Sequence, residues 1–260
     1  MEKIFIKNRK GMKVCVVVDE NPNSVGLVFL MHGLGGYKEQ PQLQVIAEIF
    51  YKKGFTAVLF DTTNTFGESD GNYEESTTTN YYEDLEDVVS WAKKQKWYKE
   101  PFVLEGHSLG GLCILLYAEK NPNEILALAP VSPVVSGPLS LEMKEKYDKK
   151  DLEQWRSSGW RITPSESKPG VIKKLPWSHM EDRLKYNAIP GASKLTMPVL
   201  MVVGEKDDTT PLESIMVLEK VLPGQKEIQI IKNAGHTMRD LVYLNDLKNV
   251  FNIWIDKIVK

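Results

Sequence analysis

The chain has 260 residues, a formal net charge of −2 and 42% hydrophobic residues, enough for one domain with a large buried core. Without an excess of basic side chains, a nucleic acid is excluded as the main partner. No apolar run approaches the roughly 20 residues of a membrane-spanning helix, and the first residues contain neither the hydrophobic region nor the cleavage site of a signal peptide. These features predict a soluble globular protein of the cytoplasm.

Eight short β-rich runs alternate with helical patterns along the chain. Several are near-continuous apolar stretches, which is typical of strands buried on both faces of a parallel sheet. The first two are joined by the turn-like "NRKG" and predict a hairpin at a sheet edge. In chain order the runs are "KIFIK", "KVCVVVD", "VGLVFLMH", "TAVLFD", "FVLEG", "ILALAPV", "PVLMVVG" and "EIQIIKN".

Amphipathic segments between these runs predict helices. Examples are "QPQLQVIAEIFYKKG", "NYYEDLEDVVSWAKKQKW", with acids early and lysines late, and the closing "DLVYLNDLKNVFNIWIDKIVK". Strand–helix alternation of this kind implies right-handed crossovers. The predicted fold class is therefore α/β, with a mostly parallel, doubly wound sheet.

Residues 134–187 interrupt the alternation, because they contain three tryptophans, several prolines and many charges but no clear buried strand. We interpret them as a cap or lid inserted into a core formed by residues 1–133 and 188–260. An inert excursion remains the alternative. Within the insertion, Trp160, Trp177 and Met180 are candidates for lining a substrate pocket, or side chains that pack the cap onto the core.

A serine stands between two glycines in Gly106-His107-Ser108-Leu109-Gly110, after an apolar run and before a helical pattern. This G-x-S-x-G spacing suits a sharp strand-to-helix turn, where a Cβ at either glycine would collide and the serine Oγ is held clear of the sheet. The helix N-terminus beyond it offers free N–H groups to a developing oxyanion. Ser108 is therefore a candidate nucleophile.

A serine nucleophile needs a base and an acid that orients the base. His236 follows the last β-rich run in "IIKNAGHTMRD", and Asp207 follows the preceding one in "VVGEKDDTTP", with Asp208 as the rival acid. The chain order is thus Ser, Asp, His. His32 and His107 lie inside glycine turns, and His179 lies in the insertion, where it has either a surface or a substrate-contact role.

A second oxyanion donor is expected after the third β-rich run, in "LVFLMHGLGGYKE". We predict the backbone N–H of Leu34 for this role, paired with that of Leu109. The glycines also suit a plain connector or a phosphate loop. Neither G-x-G-x-x-G nor G-x-x-x-x-G-K-[ST] occurs here.

Together the motifs "HGLGG", "GHSLGG", "GEKDDTTP" and "AGH" resemble the α/β-hydrolase superfamily over essentially the whole chain. Within it the chain looks most like small bacterial carboxylesterases of the feruloyl or cinnamoyl esterase and monoacylglycerol-lipase-like groups, and "SHMEDRLKYNA" is similar to the end of their cap. The resemblance implies an α/β-hydrolase fold with Ser108 as nucleophile, His236 as base and Asp207 as acid.

The predicted activity is hydrolysis of a small carboxylic ester through an acyl-enzyme, with no metal and no organic cofactor. Cys15 and Cys113 are too few for a disulfide framework or a cysteine-rich zinc site and are expected to be buried hydrophobes. An acyltransferase or peptidase would use the same three side chains. A non-catalytic receptor on the same fold is the alternative from a different class.

Overall fold

An eight-stranded sheet forms the centre of the molecule, in a computed structural model that describes residues 1–165 and 168–259. The strand order is β1-β2-β4-β3-β5-β6-β9-β10. The strands are β1 (Glu2–Lys7), β2 (Lys13–Asp19), β3 (Gly26–Met31), β4 (Phe55–Phe60), β5 (Phe102–His107), β6 (Ile125–Val131), β9 (Val199–Gly204) and β10 (Lys226–Ile231). β1 and β2 form the predicted antiparallel edge hairpin, and β2 is also antiparallel to β4. The pairs from β4 to β10 are parallel.

Helices cover both faces of this sheet, and further helices lie in the segment between β6 and β9. They are α1 (Pro41–Lys52), α2 (Thr78–Ala92), α3 (Leu109–Lys120), α4 (Gly137–Tyr147), α5 (Lys149–Ser158), α6 (Trp177–Arg183), α7 (Leu212–Val221) and α8 (Leu241–Ile258). Apolar side chains of α1 and α8 pack on one face, and those of α2, α3 and α7 pack on the other. The predicted α/β class with a doubly wound, mostly parallel sheet is confirmed.

Four strands of the sheet consist of buried residues along their whole length. Every residue of β3, β4, β5 and β9 is buried, as expected of apolar runs without polar alternation. Both cysteines are buried and free, as predicted. Among the described residues, no helix combines the length and apolarity needed to cross a lipid bilayer.

The segment between β6 and β9 leaves the sheet and forms a separate layer. It contains α4, α5, α6 and the antiparallel hairpin β7 (Trp160–Pro164) and β8 (Ile172–Pro176). Its buried cluster of Trp155, Leu175 and Met180 packs around Tyr73 of the core. The predicted insertion, residues 134–187, falls within this segment, and its division from the core stays a prediction. Residues 166–167 of it lie outside the described residues, as does residue 260 of the last predicted helix.

Candidate active site

Ser108 occupies the turn between β5 and α3 in a backbone conformation that is rare for a side-chain-bearing residue. Its φ is 54° and its ψ is −114°, a strained geometry that persists only where the surroundings impose it. Here the Ser108 N–H donates to the Val131 carbonyl at 2.9 Å, and the Ser108 carbonyl accepts from Val134 N–H at 2.9 Å. The turn is therefore held from β6 and from the start of the cap.

The glycines around Ser108 permit close approach of backbone to backbone. A Cβ on Gly106 would lie 2.6 Å from the carbonyl carbon and oxygen of Gly110, and a Cβ on Gly110 would lie 2.6 Å from the His32 carbonyl oxygen. Real Cβ atoms essentially never come so close. Both positions need glycine, as the spacing predicts, because α3 begins in direct contact with the ends of β3 and β5.

Three side chains from different loops form a hydrogen-bonded chain. His236 Nε2 lies 2.9 Å from Ser108 Oγ, and His236 Nδ1 lies 2.9 and 3.1 Å from the two Asp207 oxygens. Asp207 follows β9 and His236 follows β10. In the neutral imidazole, Nδ1–H donates to Asp207 and Nε2 accepts from the serine hydroxyl.

The Asp207 carboxylate is buried beneath His236 and receives further hydrogen bonds. Oδ1 accepts from the backbone N–H groups of Thr209 and Thr210 at 3.0 and 2.8 Å, and the Thr210 hydroxyl lies 2.9 Å from Oδ2. Burial alone would raise the pKa of Asp207, but His236 and these donors lower it below its ordinary value. The rival acid Asp208 is exposed and contacts the Thr209 hydroxyl.

His107, which precedes the serine, connects the turn to the loop of His236. Its Nε2–H donates to the backbone carbonyl of His236 at 2.9 Å. Burial, and secondarily the neighbouring His236, lower the pKa of His107 to about 3, so it acts as a neutral donor. We predicted no role for His107, since only the fold brings residues 107 and 236 together.

The two predicted oxyanion donors lie on either side of the serine. Leu109 N–H is the first of α3, and Leu34 follows β3 and lines the same cavity as Ser108. Buried His32 donates from Nδ1 to the Gly33 carbonyl at 2.8 Å and accepts at Nε2 from Thr62 N–H at 3.0 Å. Because C=O and N–H point in opposite directions across a trans peptide, this bond orients the Leu34 N–H.

A cavity of about 420 Å³ opens over Ser108 and His236, between the core and the cap. Of the pocket residues predicted from the sequence, Met180 lines it, whereas Trp160 and Trp177 are not among its lining residues. Trp160 is 42% exposed on the hairpin. Trp155 lines the cavity, as do Tyr73 and Tyr147, and Trp177 packs edge-on against Trp155 with the ring centres 5.4 Å apart.

His179 is fully buried, which corrects one of the two roles predicted for it, that of a surface residue. Its Nδ1–H donates to the Ser76 carbonyl at 2.8 Å, and its Nε2 accepts from Arg183 Nη2 at 2.8 Å. Burial, followed by the Arg183 charge, lowers the pKa of His179 to about 3. It is a neutral support for Arg183, which sequence reasoning missed.

A second cluster of chemistry-bearing groups lies away from the serine. Cys15, Asp61 and Glu68 are close enough to share a cation. The Lys38 ammonium already lies 2.8 Å from Asp61 Oδ2 and 2.7 Å from Glu68 Oε2. The cluster is thus a charge-paired lysine site, because the ammonium supplies the positive charge that a metal would bring.

The fold and these residues define a class of protein. A mostly parallel sheet with a serine at the strand-to-helix turn, an acid and a histidine after later strands, and a cap between β6 and β9 is the architecture of an α/β-hydrolase. The chain belongs to the α/β-hydrolase family described as "Serine aminopeptidase, S33", which matches residues 22–161, just over half of the chain.

Curated relatives span most of the chain. Human mitochondrial palmitoyl-protein thioesterase ABHD10 is 25% identical over 90% of this chain and 74% of its own length. An uncharacterised 31.7 kDa Escherichia coli protein from the traX-finO intergenic region is 27% identical over 88% of this chain and 90% of its own.

Two solved structures share the fold. Est1E from Butyrivibrio proteoclasticus, with ferulic acid bound, has a TM-score of 0.83 at 22% identity and covers 98% of this chain and 99% of its own. Mouse α/β hydrolase domain-containing protein 10 has a TM-score of 0.80 at 18% identity, and the match covers 99% of this chain and 100% of the mouse chain. The chain is thus a member of a hydrolase family with esterase and thioesterase relatives.

Proposed function

We propose that this protein is a serine carboxylesterase that works through an acyl-enzyme. The observation that supports the proposal is the unbroken hydrogen-bonded chain from Ser108 Oγ through His236 to Asp207, with its serine end in the cavity between core and cap. Such a chain activates a hydroxyl that is otherwise a weak nucleophile.

In the proposed reaction Ser108 Oγ attacks the ester carbonyl while its proton passes to His236 Nε2. The tetrahedral intermediate collapses, the C–O bond to the alcohol breaks, and His236 returns the proton to the leaving oxygen. Water then attacks the acyl-serine while its proton passes to His236. The bond between the acyl carbon and Ser108 Oγ breaks, His236 returns the proton to Oγ, and the carboxylic acid leaves. Asp207 keeps the imidazole oriented and stabilises the imidazolium.

The N–H groups of Leu109 and Leu34 are proposed to bind the oxyanion of both tetrahedral intermediates. Removing one such donor typically costs about 2.7 to 4 kcal/mol of transition-state stabilisation. Both are backbone groups, so their positions depend on the elbow glycines and on His32 rather than on the identity of the leucine side chains.

A thioester is the second candidate substrate, since the human relative is named a palmitoyl-protein thioesterase. The same three side chains serve either leaving group. A long alkyl chain is poorly supported, because the cavity walls include lysines and arginines, among them Lys144, Arg161 and Arg183. The cytoplasmic location stays a prediction, and the human relative is named as mitochondrial.

The proposal is tested by pre-steady-state kinetics on 4-nitrophenyl acetate, butyrate and hexanoate and on the matching acyl thioesters. We expect a burst of one nitrophenolate per protein and a mass increase of one acyl group on Ser108. The Ser108→Ala variant should lose roughly 10⁴-fold or more in kcat. The matched control is Ser90→Ala, on the exposed side of α2. Equal slow rates for wild type and Ser108→Ala on every substrate would contradict the proposal.

A further inference from the structure

Arg183, at the end of α6, is a cationic side chain in the wall of the cavity that contains Ser108. The side chain is half-buried, and this burial lowers the pKa of the guanidinium to about 10. It is therefore still charged at neutral pH. Ser140 and Met180 lie in the same wall, so the charge belongs to the cap side of the cavity.

The hydrogen bonds that Arg183 makes within the protein are to neutral groups. Nη2 donates to His179 Nε2 at 2.8 Å, and Nη1 donates to Ser140 Oγ at 3.1 Å. The Nε atom is buried without a hydrogen-bond partner. No carboxylate oxygen among residues 1–165 and 168–259 lies within 4.0 Å of this guanidinium.

Two neighbouring cations of the cavity differ from Arg183 in this respect. Lys144 Nζ lies 2.5 Å and Arg161 Nε 2.6 Å from Asp151 Oδ2. Asp182, next to Arg183 in sequence, is used elsewhere, since its carboxylate accepts from the N–H and hydroxyl of Thr79. These described acids are thus engaged with other groups, and no carboxylate in the described part of the chain pairs with Arg183.

A charge that is partly removed from water and has no counter-charge destabilises the protein, and a bound anion would offset that cost. In this protein, hydrogen bonds from neighbouring residues fix the position of the Arg183 guanidinium. His179 is held in one tautomer by the Ser76 carbonyl and offers only its lone pair to the guanidinium. The hydrogen bond to His179 orients the planar guanidinium of Arg183, and the N–H groups that remain can donate to a carboxylate.

We propose that Arg183 binds a carboxylate carried by the substrate itself. The substrate class is then an ester or thioester with a second, anionic end, such as a half-ester of a dicarboxylic acid. A carboxylate is favoured over a phosphate monoester, because one uncompensated guanidinium balances one negative charge, whereas a phosphate group carries nearly two. This inference rests on the proposed function, since it names the substrate class of the same site.

The test compares matched esters with and without the second carboxylate. On the acyl side, 4-nitrophenyl hydrogen glutarate is paired with 4-nitrophenyl pentanoate. On the alcohol side, 4-acetoxyphenylacetate is paired with 4-methylphenyl acetate. For one of the two pairs we expect wild-type kcat/KM to be at least tenfold higher for the anionic member, and this preference should fall with added salt.

Arg183→Met should abolish the preference, with a loss of at least tenfold for the anionic ester and less than threefold for its neutral partner. Arg183→Gln is measured alongside, in case the first variant folds poorly. Arg156→Met removes an exposed arginine that covers Trp177 outside the cavity, and it should keep the preference. Equal rates within both pairs, or equal losses for both members in the Arg183 variants, would overturn the inference.

Binding separates this inference from the proposed function. Ser108→Ala protein is titrated calorimetrically with 4-nitrophenyl hydrogen glutarate and with 4-acetoxyphenylacetate, with and without Arg183→Met. Binding of one anionic ester that weakens at least tenfold in the double variant supports the carboxylate site even if turnover is absent. Ester turnover by the wild type with binding that is indifferent to Arg183 would refute the site and leave the esterase proposal standing.

Discussion

Of the four histidines in this chain, one lies beside a serine and three are enclosed and neutral. Burial lowers the pKa of His32, His107 and His179, in the last two to about 3. Each enclosed ring donates to a backbone carbonyl, and so determines where a loop lies. Only His236 contacts a nucleophile candidate. Residue type alone does not separate these roles, because the contacts of each imidazole are set by where the fold places it.

A buried carboxylic acid, Glu105, lies in β5. It is fully buried, both carboxylate oxygens are without a hydrogen-bond partner, and burial raises the pKa of Glu105 well above its ordinary range. The folded protein therefore keeps this proton over a pH range in which the unfolded chain has released it. Where the unfolded state binds fewer protons, stability falls as pH rises. Glu105 thus lowers stability from about pH 4.5 upwards.

We expect Glu105→Gln to reduce the fall in the free energy of unfolding as the pH rises. Near pH 4 the two proteins should be similar in stability, and at pH 8 the variant should be more stable by on the order of 1 to 3 kcal/mol. The measurement is urea unfolding between pH 4 and pH 8. Glu74→Gln, which removes an exposed carboxylate, should leave the slope unchanged. An unchanged slope in Glu105→Gln would show that Glu105 is ionised in the folded state.

At the scale of elements, the strand–turn–helix unit of β5 and α3 combines a local pattern with a tertiary requirement. The pattern G-x-S-x-G is readable from the sequence. The reason for Gly110 lies outside the unit, because its Cβ would meet the carbonyl oxygens of His32 and Met31 at the end of β3. Helix α3 can begin at its observed position only if residue 110 has no side chain to collide with these carbonyl oxygens.

Gly110→Ala should therefore destabilise the protein, although alanine is favoured over glycine by about 1 kcal/mol inside a helix. We expect a net loss of about 1 to 3 kcal/mol in the free energy of unfolding, with lower esterase activity because Ser108 is displaced. Thermal unfolding and kcat are the measurements. Gly235→Ala, where an added Cβ meets nothing within 4 Å, should change stability little, and equal effects at both positions would refute the packing argument.

At the scale of the whole molecule, the cap is joined to the core by polar as well as apolar contacts. Asp182 of α6 accepts from the Thr79 N–H at 2.9 Å and from the Thr79 hydroxyl at 2.7 Å, at the first turn of α2. Burial would raise the pKa of Asp182, but these bonds and Lys185 lower it below its ordinary value. An acid of the cap thus satisfies a free N–H of a core helix.

Asp182→Ala should loosen this junction. We expect a loss of about 1 to 2 kcal/mol in stability, as for other helix caps, and faster amide exchange in α6 and the first turn of α2. Glu181→Ala, at an exposed position of the same helix, should change neither the stability nor the rate of amide exchange. The Asp182 contribution should also disappear as the pH falls through the lowered pKa. If exchange in α6 is the same in both variants, Asp182 does not attach the cap.

Much of the fold could be predicted because its signals are local. A strand buried on both faces must be apolar throughout, and the eight runs identified in the sequence became the eight strands of the sheet. The residue choices for the hydrogen-bonded chain followed from the same regularity. In a parallel sheet the carboxyl ends of the strands lie at one edge, so residues after β5, β9 and β10 can meet there.

The cavity walls could not be predicted in the same way. Trp160 and Trp177 were the tryptophans predicted from the sequence to line the cavity, yet the tryptophan that lines it is Trp155. Which face of a short cap helix or hairpin turns inward depends on how the cap packs on Tyr73 and its neighbours, not on local periodicity. The sequence shows which side chains the cap contains, but the packing of the cap on the core decides which of them face the cavity.

The sequence by itself determined the α/β class, the strand order along the chain and the serine, acid and histidine candidates, since each depends on short-range pattern and backbone sterics. Only the tertiary structure decided that Asp207 rather than Asp208 contacts His236, and that His107 and His32 orient the loops around the serine. It also decided that Arg183, in the cavity wall, pairs with no carboxylate among residues 1–165 and 168–259. These are relations between residues far apart in the chain, and they exist only once the core has brought the strand ends and the cap together.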